Sequence, residues 1–249
     1  MIKWQEDFVN KIIQGDCLDV MKDIPDESCG AIITSPPYNV GVEYENHNDS
    51  MDRKEYENYL ISRFSLGINK INNGGHLIIQ VANTGRNPYI HLSGMISYLL
   101  KDKIRQVGEI IWNKQNTTNN TAWGSWLSAN RPSLRDSHEY ILVFRKEGDR
   151  TGISDITKEE FIESTMGIWK VTPETKSIGN HPAAYPENLI NKIIKLFTFK
   201  DEIILDPFIG SGTTAICAKK LGRRFIGIDK SQKYCEIAER RLAQEYLFT

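Results

Sequence analysis

Near its carboxyl end, the chain contains the pattern that most limits how it can fold. An apolar run over residues 202–206 predicts a strand that ends in Asp206, and a glycine-rich stretch over residues 207–214 follows it. A helix is predicted over residues 215–221 and a second strand over residues 224–229. A strand, a tight turn, a helix and a second strand form a βαβ unit, which requires a parallel sheet covered by helices. The sequence therefore predicts an α/β fold.

The glycine-rich stretch has the composition of a nucleoside-binding turn. Its glycines allow the backbone to approach a ligand closely, and Thr213 or Thr214 is expected near the N-cap of the following helix. Asp229 follows Gly210 by about 20 residues, the spacing at which an acid accepts ribose hydroxyls. The stretch has no lysine after its last glycine, so it is not a P-loop, and it lacks the third glycine of the dinucleotide fingerprint. A structural acid after an ordinary turn is the alternative, but the strand, helix and acid in register favour ligand binding.

A second motif, Ser35-Pro36-Pro37-Tyr38, follows the apolar run of residues 30–34. Two prolines cannot continue a sheet ladder, so the strand must end here, at the edge where open α/β sheets bind ligands. Because proline has no N–H, the turn offers mainly acceptors, beside a hydroxyl and an aromatic ring. This group suits a planar ligand that carries an NH2 group. A plain proline turn with Tyr38 in the core is the alternative.

The two motifs together resemble those of the DNA methyltransferases that transfer a methyl group from S-adenosylmethionine to an exocyclic amino group. Residues 34–39 are similar to the catalytic motif and residues 205–214 to the cofactor motif, and their order resembles the circularly permuted β group of that family. The resemblance covers nearly the whole chain. It implies a doubly wound, mostly parallel sheet in one catalytic domain over residues 1–249.

The resemblance also implies which residues form the site. The catalytic residues would be Ser35, Pro36, Pro37 and Tyr38. The cofactor-binding residues would come from the segment after the first strand, the catalytic strand, the glycine-rich stretch and the strand after it: Asp16, Cys17, Thr34, Asp206, Pro207, Phe208, Gly210, Ser211, Gly212, Thr213, Thr214, Asp229 and Lys230.

The chemistry implied by the resemblance is direct methyl transfer to a base that has left the duplex. The Pro36 carbonyl and the Ser35 hydroxyl would accept the two amino hydrogens, and Tyr38 would stack on the base. Family members with Ser at the first motif position mostly methylate cytosine N4, whereas those with Asp or Asn mostly methylate adenine N6, so Ser35 favours cytosine. Adenine N6 methylation is the alternative, and a catalytically silent protein that binds S-adenosylmethionine and DNA is an alternative of another class.

Composition is that of an ordinary soluble protein: 249 residues, 40% hydrophobic and 25% charged, with a net charge of −1. The sequence has neither an 18-residue apolar run nor a signal peptide, so a cytoplasmic location without a membrane segment is expected. The four cysteines lack CxxC spacing and the histidines lack metal-ligand spacing, so we expect reduced thiols and no metal. No Pro-Cys nucleophile supports methylation at cytosine carbon 5. The last helix, over residues 232–246, is predicted to serve packing only.

Basic residues are locally in excess between Lys101 and Arg135, a stretch that contains six basic residues and two acidic residues. Amides and tryptophans in this stretch suit a loop that contacts DNA, and a solvated polar loop is the alternative. The resemblance favours DNA contact, so residues 113–136 and 146–180 are candidate target-recognition insertions. The candidate DNA-binding residues are Asn39, Lys114, Asn116, Trp123, Trp126, Arg131 and Arg135. The expected partners are double-stranded DNA and a cognate restriction endonuclease that is not a required subunit; a monomer or weak homodimer is expected.

Overall fold

A computed structural model describes residues 3–41, 50–84, 89–115, 124–132, 134, 136–173 and 186–244. The strands within these ranges are β1 (Lys11–Gln14), β2 (Cys29–Thr34), β3 (Ile71–Val81), β4 (Arg105–Asn113), β5 (His138–Arg145), β6 (Ile168–Lys170), β7 (Ile203–Asp206) and β8 (Arg224–Asp229). The helices are α1 (Trp4–Phe8), α2 (Cys17–Val20), α3 (Arg53–Lys70), α4 (Leu92–Leu100), α5 (Lys158–Ser164), α6 (Glu187–Phe197), α7 (Thr213–Lys220) and α8 (Gln232–Gln244).

The strands form one mixed sheet in the order β1-β8-β7-β2-β3-β5-β4-β6. Every pairing is parallel except the two that β5 makes, so β5 alone among the described strands runs against the others. Both faces of the central strands are buried, as consecutive residues of β2 show: Ile32 packs into one core cluster and Ile33 into the other. The predicted doubly wound, mostly parallel α/β fold is confirmed.

The chain changes direction across the sheet between β2 and β7. From β2 it continues through α3 to β3, and from β7 it continues through α7 to β8 on the other side. Such a switch point leaves a crevice between the loops that follow the two strands, and open α/β sheets bind ligands there. We call the edge at which β2 and β7 end the carboxyl edge. It carries the Ser-Pro-Pro-Tyr turn (residues 35–38) and the glycine-rich turn (residues 207–214).

Helix α7 begins earlier than the predicted residue 215. It starts at Thr213, and its N-cap is Gly212 at φ +88°, without a side-chain hydrogen bond from a threonine. Glycine adopts this left-handed conformation without the clash that a Cβ would cause. A Cβ at this position would also lie 2.7 Å from the Cβ of Ala238 in α8, so the glycine allows the turn to pack on that helix.

The structure places residues 146–157 at the amino edge of the sheet, opposite the Ser-Pro-Pro-Tyr turn. Arg150 donates to the carbonyls of Gly30 and Gly74 at 3.1 Å each and pairs with Glu202, all at amino ends of strands. The chain then returns through α5 and β6 to the carboxyl edge at residues 171–173. Residues 146–157 of the candidate target-recognition segment therefore lie on the far side of the sheet from the crevice, and residues 174–180 lie outside the described part.

Two further properties concern the helices and the cysteines of the described residues. None of their helices is long and apolar enough to span a membrane. All four cysteines are buried, and none forms a disulfide, as the sequence predicted.

Candidate active site

The Ser-Pro-Pro-Tyr turn presents two acceptors at the switch point. The Ser35 hydroxyl donates to the Tyr38 hydroxyl at 3.1 Å, so the lone pairs of Ser35 Oγ remain available. Tyr56 donates to the Pro37 carbonyl at 2.5 Å. Within the described ranges no residue donates to the Pro36 carbonyl. The turn therefore offers Ser35 Oγ and Pro36 O as a pair of acceptors held in place by two tyrosines.

Tyr38 is half-buried and packs against the core cluster beside α3. Burial, together with the negative charge of Glu139, raises the pKa of the Tyr38 hydroxyl well above its ordinary value. The hydroxyl therefore stays neutral and can accept the Ser35 proton at all physiological pH values. Because this bond occupies the proton of Ser35, the serine acts as an acceptor toward any ligand in the crevice.

Asp206 links the two turns across the switch point. Its Oδ1 accepts the Thr34 hydroxyl at 2.6 Å and the Phe208 N–H at 3.1 Å. Its Oδ2 is buried and forms no hydrogen bond of normal geometry among the residues that the structure describes, although the Thr214 hydroxyl lies near enough to lower the pKa of Asp206. Burial raises the pKa of Asp206 to about 6, although the Thr34 bond opposes the shift. An unpaired carboxylate oxygen is costly in the interior, so the geometry fits a ligand that brings a donor or a positive charge.

Asp229 orders the glycine-rich turn from the neighbouring strand. Its two oxygens accept the Gly210 N–H at 3.0 Å and the Ser231 N–H at 2.8 Å. Burial raises its pKa. A carboxylate can accept about four hydrogen bonds, so both oxygens keep room for the ribose hydroxyls that the sequence predicted as their partners. Asp229 thus stands beside the turn that it shapes, and its binding of a ribose stays a prediction.

Asp16 begins α2 and is held by two cations. It accepts the Leu18 N–H at 2.9 Å and pairs with Arg63 at 2.9 Å and Lys230 at 2.8 Å. Burial alone would raise the pKa of Asp16, but the Lys230 and Leu18 hydrogen bonds and the Arg63 charge lower it overall. Asp16 and Lys230 come from opposite ends of the chain and were predicted to share one site. The structure brings them into direct contact.

Sequence reasoning missed two residues of α3 at this site. The Arg63 guanidinium lies 3.7 Å from the centroid of the Tyr59 ring, and the Tyr59 ring lies 6.2 Å from that of Phe208 in the glycine-rich turn. Tyr59 and Arg63 are four positions apart, so they share a helix face, and this spacing was the only signal in the sequence. They lie between Asp16 and the glycine-rich turn.

The predicted DNA-binding residues have different surroundings. The Asn39 side chain accepts the Met51 N–H at 2.7 Å and donates to the Met51 carbonyl at 2.8 Å. These two bonds join residues 39 and 51. Lys114 forms an ion pair with buried Glu139. Trp126 is 65% exposed, and Arg131 is exposed in the same loop at the carboxyl edge. The remaining candidates, Asn116, Trp123 and Arg135, lie outside the described residues.

The packing role predicted for the last helix was incomplete, because Arg241 of α8 supports the glycine-rich turn. It donates to the Ser211 carbonyl at 2.7 Å and to the Thr213 hydroxyl at 3.1 Å, and it pairs with Glu187 at 3.6 Å. The guanidinium thereby joins the turn to α8 and to the start of α6. Its neighbour Arg240 is exposed and donates to the Glu236 carbonyl of its own helix at 3.3 Å.

Arg241→Ala is expected to weaken binding of the ligand of the glycine-rich turn by about tenfold, because the turn loses hydrogen bonds from a charged donor. Arg240→Ala is the matched control and should bind as the wild type does. Calorimetry measures the affinity, and activity at saturating ligand should stay close to wild type because the reacting groups are untouched. Equal affinities in the two variants would contradict this role.

The family of the chain follows from comparison with known proteins. The N6/N4 DNA methylase family, described as "DNA methylase", matches residues 30–240, a range that includes both the Ser-Pro-Pro-Tyr turn and the glycine-rich turn. The chain belongs to this family. The methylase is similar to the Type II methyltransferase M.MjaVI of Methanocaldococcus jannaschii, with 36% identity over 171 residues that cover 66% of this chain and 87% of the relative. It is also similar to the DNA adenine methyltransferase YhdJ of Escherichia coli K12, with 27% identity that covers 93% and 82% of the two chains.

Solved structures agree with the fold of the methylase. The DNA modification methylase TTHA0409 of Thermus thermophilus, in complex with S-adenosyl-L-methionine, has a TM-score of 0.75 and 24% identity, and the match covers 94% of this chain and 95% of that one. The cytosine-N4-specific PvuII DNA methyltransferase has a TM-score of 0.74 and 17% identity, with coverage of 95% and 90%. S-adenosylmethionine is the cofactor of the methylase family. The unpaired buried oxygen of Asp206 and the acids beside the glycine-rich turn fit this cofactor, which carries a sulfonium, an ammonium group and a ribose.

Proposed function

We propose that this methylase transfers a methyl group to the exocyclic N4 of a cytosine that has been flipped out of duplex DNA. The observation that carries the proposal is Ser35, a neutral hydroxyl whose proton is directed to Tyr38 and whose lone pairs remain available to accept a hydrogen. The relatives and fold neighbours include a DNA adenine methyltransferase and a cytosine-N4-specific enzyme, so they support amino methylation of either base. The preference for cytosine rests on serine at position 35, which the resemblance associates with cytosine. Adenine N6 is the second candidate.

The acceptor pair explains how the chain would activate an amino group. The lone pair of a base amino nitrogen is delocalised into the ring, which makes the nitrogen a weak nucleophile. Ser35 Oγ and Pro36 O would each accept one amino hydrogen and favour a pyramidal nitrogen. The ring of Tyr38 would supply the stacking surface for the flipped base, which leaves the duplex because its amino group is otherwise paired. Preorganised acceptors of this kind cost no reorganisation when the reaction occurs.

The cofactor residues would place the methyl donor beside that nitrogen. When bound, S-adenosylmethionine supplies an electrophilic methyl group. Asp229 would accept the ribose hydroxyls, and the unpaired oxygen of Asp206 would face a positively charged or donating part of the cofactor. Tyr59 and Arg63 would bound the adenosyl end, where Asp16 and Lys230 meet. Holding both reactants at one switch point supplies much of the catalysis through proximity.

Nucleoside analysis tests the target base. Plasmid DNA is incubated with the purified chain and tritiated S-adenosylmethionine, digested to nucleosides and separated by chromatography. The N4-methylated deoxycytidine is the expected labelled product. Labelled N6-methylated deoxyadenosine would show that adenine is the target base, and the proposed methylation of an amino group would still stand. Absence of any labelled nucleoside from a chain that binds the cofactor would favour a catalytically silent protein.

Arg131→Ala is expected to reduce the salt dependence of DNA binding, because Arg131 is exposed in the β4–β5 connection at the carboxyl edge. Loss of one phosphate contact should make the slope of log K against log salt less negative by about 0.9. Fluorescence anisotropy of a labelled duplex at several salt concentrations measures the slope. Arg105→Ala is the matched control, since Arg105 is exposed at the opposite end of β4. An unchanged slope in the Arg131 variant would place the phosphate contacts elsewhere.

We also propose that the enzyme is the modification component of a restriction-modification system in the cytoplasm and works without the nuclease as a subunit. Relatives named Type II methyltransferases support this proposal. The purified chain alone should methylate DNA as a monomer or weak homodimer. Activity that requires a second protein would overturn this assignment.

A further inference from the structure

The loop of residues 124–132 is an organised structure within the β4–β5 connection. Gly124 and Pro132 form an antiparallel bridge at its base. The Ser125 N–H donates to the Arg131 carbonyl at 2.7 Å, and the Arg131 N–H donates to Ser125 Oγ at 2.8 Å. The Ser125 hydroxyl in turn donates to the Ser128 carbonyl at 2.8 Å. These bonds hold the loop without help from the side chain of residue 127.

Leu127 lies at the tip of this loop in an unfavourable state. Its side chain is 89% exposed, although transfer of an apolar side chain to water is unfavourable. Its φ is +52°, in the left-handed region that side chains with a Cβ rarely adopt. Every other non-glycine residue with positive φ in the described part of the chain is polar. The Leu127 side chain therefore buries little apolar surface in the folded protein and extends into solvent.

The position of the loop relates it to the catalytic turn. β4 ends and β5 begins at the carboxyl edge, and β5 is separated from β2 by β3 alone. Neighbouring strands lie about 4.8 Å apart, so the start of β5 is about 10 Å from the end of β2. The same loop carries the exposed cation Arg131. A duplex that delivers a base to Ser35 must lie across this edge.

We propose that Leu127 inserts into the DNA base stack and occupies the space that the flipped target base leaves. Apolar side chains act as wedges between bases in many DNA-bending proteins because they replace lost stacking contacts. Burial of a leucine side chain favours the flipped state by about 10- to 100-fold over a variant without it. The polar, hydrogen-bonded loop base keeps the wedge rigid, and Arg131 supplies attraction to the backbone. This inference rests on the proposed transfer to a base outside the duplex, and it is independent of which base is methylated.

The test uses Leu127→Asn and a matched control, Leu134→Asn. Asparagine tolerates positive φ, so the Leu127 variant should fold as well as the wild type. Leu134 is 85% exposed in the same β4–β5 connection, so its replacement removes an equally exposed leucine. The methylated site is first mapped in plasmid DNA treated with the wild-type chain. Oligonucleotide duplexes then carry that site either with its normal base pair or with an abasic site opposite the target base.

Leu127→Asn is expected to lower kcat/KM on the paired duplex by about 10- to 100-fold. On the duplex with the abasic site it should approach the wild type, because an unpaired base needs less help to leave the stack. Leu134→Asn should resemble the wild type on both duplexes, and melting temperature and S-adenosylmethionine affinity should be unchanged in both variants. Unchanged activity of Leu127→Asn on the paired duplex, or an equal loss on both duplexes, would overturn the wedge. A wild-type chain that methylates no base in the plasmid DNA used for mapping would instead overturn the proposed function.

Discussion

Ser35→Ala is expected to slow methyl transfer by about 10- to 1000-fold, the range for loss of one preorganised polar group. The variant removes one of the two acceptors, while the Pro36 carbonyl and the fixed shape of the proline turn remain. Single-turnover rates with enzyme in excess over a DNA duplex isolate the chemical step. Calorimetry should show unchanged S-adenosylmethionine affinity, because the three acids proposed to bind the cofactor, Asp16, Asp206 and Asp229, keep their contacts when the Ser35 hydroxyl is removed.

Tyr38→Phe is the companion variant, because it keeps the ring and removes the group that receives the Ser35 proton. Ser35 could then turn its hydrogen toward the base, so a smaller loss of about tenfold is expected, comparable to one misdirected hydrogen bond. Full activity of Ser35→Ala would leave the Pro36 carbonyl as the main acceptor and remove the serine from the mechanism.

Asp206→Asn is expected to make the cofactor-free protein more stable at neutral pH while it weakens S-adenosylmethionine binding. The folded protein raises the pKa of Asp206 from 3.8 to about 6 through burial. The folded state therefore holds this proton more tightly than the unfolded state, and stability falls as the pH rises from about 4 through 6. At pH 7 the ionised carboxylate costs up to about 3 kcal/mol in the free energy of unfolding. Asparagine removes this cost and can still accept from Thr34 and Phe208 through Oδ1.

Urea unfolding of the cofactor-free proteins at pH 4, 5, 6 and 7, with the wild type as control, measures this effect. The variant should be about 1–3 kcal/mol more stable at pH 7 and nearly equal to the wild type at pH 4. Calorimetry should show an affinity for S-adenosylmethionine lower by about 1.5–3 kcal/mol, the value of a hydrogen bond to a charged group. A variant that is less stable at pH 7, with the same pH dependence as the wild type, would contradict the assignment.

The two results together would show that Asp206 lowers the stability of the cofactor-free protein and strengthens the binding of a ligand. The Asp206 Oδ2 forms no hydrogen bond among the described residues, although Thr214 lies beside it, whereas Asp229 uses Oδ2 to hold the Gly210 N–H of the glycine-rich turn and Oδ1 to hold the Ser231 N–H after β8. The difference explains why Asp229→Asn should destabilise the turn, while Asp206→Asn should not.

Local patterns in the sequence were enough to predict the elements that carry the chemistry. Apolar runs that end at Asp206, Asp229 and Thr34 predicted three strands, and the structure ends β7, β8 and β2 at these residues. The signals are local: an apolar run predicts a buried strand, paired prolines stop it, and glycines permit the turn that follows. Since carboxyl ends of parallel strands share one edge, the two turns could be placed together before any contact was known.

Contacts between residues that are distant in the sequence could not be predicted from local patterns. Thr34 and Asp206 are 172 positions apart and bond because β2 and β7 are neighbours, an order that no local pattern encodes. Arg63 and Arg241 join the site because particular faces of α3 and α8 pack there, and many faces would satisfy the same helical periodicity. Residues 146–157 lie at the amino edge because Arg150 donates to two backbone carbonyls there and forms an ion pair with Glu202. Local sequence fixes the conformation of each segment, whereas contacts between distant segments depend on the whole packing of the chain.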